Sequence, residues 1–91
     1  MTKSPSARQL IALTDCFQVL KNLDAILSEG GSSLQLTIKF TVFLMDLADF
    51  QQLNEVFNEY FPKDPPARST VQVSALPMDV RVEIEAVGLI Q

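Results

Sequence analysis

The sequence predicts an α+β fold, a single sheet with two amphipathic helices packed on one of its faces. Three observations carry this reading. The apolar period is helical in two separated stretches. It switches to two in three others. The order helix, strand, helix, strand, strand then lets both helices bury their stripes on the same side of one sheet. At 91 residues the chain is one domain, residues 1–91.

Residues 1–9 are polar with one proline and read as a flexible lead-in. From Leu10 the period is helical. Leu13, Phe17, Leu20, Leu23 and Leu27 recur at three- and four-residue steps, Cys16, Val19 and Ile26 widen the stripe, and Asp15, Lys21 and Asp24 point elsewhere. Gly30 and Gly31 end this helix, and Ser32 and Ser33 form a turn. Leu34, Leu36, Ile38, Phe40, Val42 and Leu44 then fall on one face of a long strand, with Gln35, Thr37, Lys39, Thr41, Phe43 and Met45 on the other. Asp49 followed by Gln52 resembles a capping box, with Leu47 as its staple. The second helix runs through Phe50, Leu53, Phe57, Tyr60 and Phe61, and Gln51, Glu55, Asn58 and Glu59 supply its wet face. Pro62, Pro65 and Pro66 stop it. Val71, Val73 and Ala75, then Val82, Ile84 and Ala86, mark two short strands about the turn Leu76-Pro77-Met78-Asp79, which reads as an antiparallel hairpin. Three strands cover two helices and leave the far face of the sheet in need of a partner.

Composition narrows the chemistry. Hydrophobic residues make up 47%, which fits a generous core or apolar surface buried against another subunit. With 11 acidic and 7 basic residues the net charge is −4, and no stretch concentrates lysine or arginine. Nucleic-acid affinity rests largely on neutralising phosphates, so this balance argues against RNA or DNA as a partner. Phe40, Phe43, Phe50, Phe57 and Phe61 lack interleaved basic residues and read as core, not as base-stacking platforms. There is no histidine, which removes the commonest general base and the commonest zinc ligand. The lone Cys16 lies in an apolar helical stretch and reads as a buried thiol. Residues 10–13 are too short an apolar run for a secretory signal, and no segment reaches membrane-spanning length. The expected location is therefore cytoplasmic; Ser4, Ser6 and Arg8 leave a mitochondrial one open.

Few residues invite a chemical role. Arg68 follows Pro65-Pro66 at the mouth of a strand, and its planar fork suits bidentate carboxylate binding, although a solvated arginine is the commoner reading of such a position. Glu83 and Glu85 share one strand face about 7 Å apart, where paired carboxylates can raise one pKa or simply be wet. Asn54 reads as a plain helix-surface residue, with a site-lining helix position as its alternative.

Several separated motifs occur in one order. They are Gln18-Val19-Leu20-Lys21-Asn22-Leu23, the strand around Lys39 and Leu44, Asp49-Phe50 through Asn54-Glu55-Val56 to Phe61, Pro66-Ala67-Arg68-Ser69-Thr70-Val71-Gln72-Val73, Leu76-Pro77, and Val82-Glu83-Ile84-Glu85-Ala86. Together they resemble the Rid family (YjgF-type imine/enamine deaminases, also called the L-PSP endoribonuclease family) from about Gln18 to the end of the chain. The resemblance implies a chorismate-mutase-like fold and a homotrimer with small-ligand sites between subunits. It implies hydrolysis of 2-iminobutanoate- or 2-iminopropanoate-like imino acids to 2-keto acids and ammonia, without metal or cofactor. Arg68 matches the arginine that grips the substrate carboxylate, and Glu83 the catalytic glutamate that handles the water or the imine proton. Thr70, also expected to touch substrate, stands where several deaminating members have a cysteine. The family's first strands carry Gly-Pro-Tyr and Ser-Gly-Gln segments; neither occurs here, so the expectation is a member shortened at its N-terminus. A non-catalytic protein that binds a small carboxylate or another chain is the alternative. An endoribonuclease is a weaker one, because an acidic chain without histidine serves RNA chemistry poorly.

Overall fold

The structure is a computed structural model and describes residues 7–90. The elements are α1 (Ala7–Glu29), β1 (Thr37–Leu44), α2 (Phe50–Tyr60), β2 (Ala67–Gln72) and β3 (Val82–Gly88), with single 3-10 turns at Leu34–Leu36, Leu47–Asp49 and Pro77–Asp79. Of the lead-in expected over residues 1–9, residues 1–6, with Ser4 and Ser6, lie outside the described residues and 7–9 are already helical.

α1 ends as its glycines predict. Gly31 takes a φ of +84°, the Ser32 amide donates to the Leu27 carbonyl at 2.8 Å, and the Gly31 amide donates to Ser28 at 3.2 Å. This pair of bonds is a Schellman cap, which satisfies carbonyls the last turn would leave open. The chain then departs from one long strand. Leu34–Leu36 forms a 3-10 turn, and the register with β3 shifts between Thr37 and Lys39. The irregularity inverts the local alternation, so Thr37 is buried and Ile38 is 51% exposed. From Phe40 onward the expected face holds: Phe40, Val42 and Leu44 are buried.

Entry to α2 also differs from expectation. Asp46, not Asp49, supplies the capping carboxylate, accepting from the Ala48 amide at 2.8 Å. The extra 3-10 turn moves the start of the helical bonds back, and Leu47 is exposed, not a buried staple.

The final two strands do not form a hairpin. The sheet order is β2-β1-β3, with β2 parallel and β3 antiparallel to β1. β1 is the most apolar strand and takes the centre, where both edges are paired and both faces are most covered. The β1–α2–β2 segment is a helical crossover between adjacent parallel strands. Residues 73–81 then carry the chain across to the other edge of β1. Met78 and Asp79 both adopt positive φ, 60° and 54°, in that connection.

Both helices cover the face that carries Phe40, Val42 and Leu44. Register places Arg68, Thr70 and Gln72 of β2 and Ala86, Ile84 and Val82 of β3 on this same face. The core joins Cys16 and Leu20 of α1, Leu53, Val56 and Phe57 of α2, and the inward residues of β1 and β3. Phe40 meets the rings of Phe57 and Phe61 edge-on, with centroids 5.1 and 5.6 Å away. Leu20, Phe40, Val42, Leu53 and Val56 are 0% exposed, and each such side chain contributes roughly 1.5–3 kcal/mol. The opposite face carries Lys39, Thr41 and Phe43 of β1, Ser69 and Val71 of β2, and Glu83, Glu85 and Val87 of β3. Val71 and Val87 are exposed there, so the apolar alternation assigned to β2 faces away from the helices, and the polar residues Arg68 and Thr70 face toward them.

Candidate functional site

β2 is an edge strand, and α2 lies over its inner face. That geometry makes Arg68 unusual. Paired with Phe40 of β1, it points under the helix instead of into solvent. Phe50, Asn54 and Phe57 follow the i, i+4, i+7 spacing of one helix face. The Arg68 guanidinium lies across all three, its carbon 4.8 Å from the Phe57 ring centroid and 5.7 Å from that of Phe50, while Nη2 donates to Asn54 Oδ1. Both rings present cation–π partners. Burial lowers the pKa of the guanidinium from its ordinary value, yet arginine stays charged at neutral pH. Asn54 thus has a role that its reading as a surface residue missed. The signal was present in its place between Phe50 and Phe57 on one helical face.

Beside Arg68 is a cavity of about 230 Å³ lined by Phe57, Asn58, Pro65, Pro66 and Arg68. The prolines fix the chain entering β2 and give the arginine a stiff wall. Thr70, two residues on, shares the inner face and is half-buried opposite Val42. Gln72, the next inward residue, accepts from the Leu47 amide at 2.9 Å and so ties the approach to α2 to the strand below it. The arrangement can hold a small anion: a fixed cation with spare donors, an apolar wall and a hydroxyl one pleat away.

Glu83 is not part of this cluster in a single chain. It stands opposite Phe43 on the open face of the sheet, with Glu85 beside it opposite Thr41, and both are exposed. Arg68 and Thr70 come together on one face; Glu83 lies on the other, with β1 between. Cys16 is buried between the helices and the sheet, and its thiol is pushed up to about 12 by burial, then by Asp15 and Asp49. It is a packing residue, not a nucleophile. Among the described residues no group of three or more histidines, cysteines or carboxylates is placed to hold a metal ion, and no helix is long and apolar enough to cross a membrane.

The family model described as Endoribonuclease L-PSP matches residues 11–90. A RutC family protein of Pyrococcus abyssi is 51% identical over 71 residues, 78% of this chain and 56% of its own length. The human 2-iminobutanoate/2-iminopropanoate deaminase is 41% identical over 88 residues, 93% of this chain and 64% of its own. Reactive Intermediate Deaminase A of Arabidopsis thaliana, a chloroplastic protein, is 48% identical over 71 residues, 78% of this chain and 38% of its own. The crystal structure of yeast Mmf1 superposes with a TM-score of 0.80 at 38% identity, covering 84% of this chain and 61% of that one. RidA from an Antarctic Psychrobacter gives 0.75 at 48%, covering 78% and 58%. The chain spans about half the length of the curated relatives it matches, 56% of the archaeal one and 38% of the plant one. With the motif order, the two-helix sheet and these matches in agreement, the chain belongs to the Rid family, the family of the endoribonuclease L-PSP model.

Proposed function

We propose that this protein binds a small 2-imino acid through Arg68 and hydrolyses it to the 2-keto acid and ammonia, at a site completed by a second copy of the chain in a homotrimer. The observation that carries the reading is the Arg68 guanidinium, held by Asn54 and two phenyl rings at the wall of a cavity of about 230 Å³. Its fork can donate two parallel hydrogen bonds to a carboxylate. Thr70 lies on the same strand face, two residues on.

The chemistry asks little more. Protonation of the imine nitrogen makes its carbon electrophilic. Water adds there, the C–N bond breaks, and ammonia leaves as the carbonyl forms. Glu83 is the group assigned to position that water and pass its proton. Because Glu83 faces away from Arg68 within one chain, the assignment requires the open sheet face of a neighbouring copy. That face carries Val71 and Val87, 43% and 57% exposed, which suits burial between subunits. No metal or cofactor enters the scheme.

One observation favours a second reading. If copies do not assemble, Arg68 and Glu83 stay on opposite faces, and the chain binds a small carboxylate without turning it over. Light scattering together with a direct imine-hydrolysis assay on 2-iminobutanoate generated in solution separates the two. A trimer with Arg68-dependent hydrolysis supports the deaminase. A monomer that binds the keto acid and hydrolyses nothing leaves only the binder. The endoribonuclease activity in the family model's description finds no histidine or basic surface run in this chain.

A further inference from the structure

We propose that the groove between α1 and α2, on the helix layer away from the sheet, is a docking surface for a basic amphipathic helix of a partner protein. α1 carries a wider apolar arc than its core uses. Leu10, Leu13 and Phe17 follow the i, i+3, i+7 spacing of one stripe. Leu10 is 51% and Phe17 36% exposed, whereas Val56 at the groove floor is 0% exposed. The space between the helices is about 440 Å³ and is lined by Leu13, Phe17, Glu55, Val56, Asn58 and Glu59. Phe17 is backed by the Tyr60 ring, with centroids 6.1 Å apart, so the apolar wall is braced.

The rim determines the charge of the occupant. Glu55 and Glu59 stand one turn apart on α2, both exposed, and among the described residues no lysine or arginine lines the groove. A cationic partner complements this rim. The walls determine its conformation. Two helix sides offer no free backbone ladder, so an extended peptide would leave its own amides and carbonyls without partners against them. A helix satisfies its backbone internally and inserts apolar side chains at three- and four-residue steps. A second copy of this chain fits poorly, because a symmetric contact would set the same carboxylates against each other. The groove meets the Arg68 cavity only at Asn58, which lines both, so docking and the proposed chemistry can be assayed separately.

The test is fluorescence anisotropy with a labelled leucine/lysine peptide of about four helical turns, its leucines at three- and four-residue steps. The controls are a scrambled peptide of equal composition and a leucine/glutamate version, all at physiological ionic strength. The expected result is saturable binding of the patterned basic peptide, with both controls at least about tenfold weaker. Phe17→Ala and the pair Glu55→Lys with Glu59→Lys should each weaken binding by about tenfold while circular dichroism and keto-acid binding at Arg68 stay unchanged. Amide shifts on titration should cluster at Leu13, Phe17, Glu55, Val56 and Glu59. Equal affinity for the scrambled peptide, or indifference to Phe17→Ala, overturns the proposal. So does self-association relieved by Phe17→Ala, which makes the occupant a second copy. Binding seen only after removal of residues 1–6 also overturns it, because the groove then belongs to the chain's own lead-in.

Discussion

Replacing Arg68 with lysine keeps a positive charge at the mouth of β2 and removes the fork. The size of the effect follows from what holds the guanidinium. Nη2 donates to Asn54, and the guanidinium carbon lies 4.8 and 5.7 Å from the ring centroids of Phe57 and Phe50. The side chain is therefore held in place at the cavity wall, and in the proposed site a carboxylate would gain bonds without reordering a long side chain. Losing one charge-assisted hydrogen bond costs about 1.5–3 kcal/mol, which at about 1.4 kcal/mol per decade is roughly a tenfold to hundredfold weaker Kd. Arg68→Lys, which keeps the charge, should fall near the smaller figure and Arg68→Ala near the larger. Asn54→Ala only frees the fork, so it should cost less than either. All three variants should fold. Arg68 lies at a sheet edge outside the main apolar cluster, and its ring contacts are worth about 0.5–1 kcal/mol each. Calorimetric titration with 2-oxobutanoate, the stable keto product, gives the affinities. Keto-acid binding that survives Arg68→Ala unchanged would refute the reasoning outright.

Three further outcomes are expected. Glu83→Gln keeps the shape of the side chain and removes the proton acceptor, so it should spare keto-acid binding and lower turnover, whereas Glu85→Gln should leave both near parental levels; steady-state kinetics on the two variants decide. At Gly88 an added Cβ would sit 2.6 Å from Ser32 Oγ and 3.4 Å from Leu27 Cδ2, so Gly88→Ala should cost about 1–3 kcal/mol in urea unfolding. Ser32 Oγ is buried without a hydrogen-bond partner, and Ser32→Ala should therefore be close to neutral alone and relieve most of the Gly88→Ala cost. The Cys16 thiol has its pKa raised from 9.0 to about 12. Its protonated form is thus favoured by folding, and that contribution is complete below pH 9 and lost as pH rises through about 12. Stability in that window should fall by on the order of 1 kcal/mol per pH unit. Cys16→Ala should flatten the slope, and an equally steep slope in that variant would assign the loss to other groups.

The fold class could be read from the chain because its periods are long and clean. The Leu13-to-Leu27 stripe, the Gly30-Gly31 stop and the Phe40-Val42-Leu44 alternation each dictate one element. Pairing could not be read so directly. Strands with Val71 and Val73, then Val82 and Ile84, look like a hairpin when only the turn between them is considered. Which strand takes the centre is decided by competition for burial, and β1 wins it. The Thr37 irregularity was invisible for a similar reason: a bulge depends on the partner strand, and Ile38 is an ordinary strand residue on its own terms. Arg68 and Thr70 could be matched by motif, but their position beneath α2 needed the parallel register with Phe40 and Val42. Asn54 was lost because a polar residue on an amphipathic helix is usually wet; only the strand beneath it supplies the cation. The opposite placement of Arg68 and Glu83 follows from crossing β1 between β2 and β3, and no spacing along the sequence encodes that.

Arg68→Ala and Glu83→Gln should each abolish imine hydrolysis. Mixed in equal amounts and allowed to exchange subunits, the two inactive variants should regain activity. Half of the subunits then supply the arginine and half the glutamate, so roughly a quarter of the sites in a symmetric assembly are intact. Hydrolysis in the mixture at about that fraction of the parental rate is the predicted result. A mixture that stays inactive, although both variants assemble and exchange as the parent does, would contradict a site shared between copies.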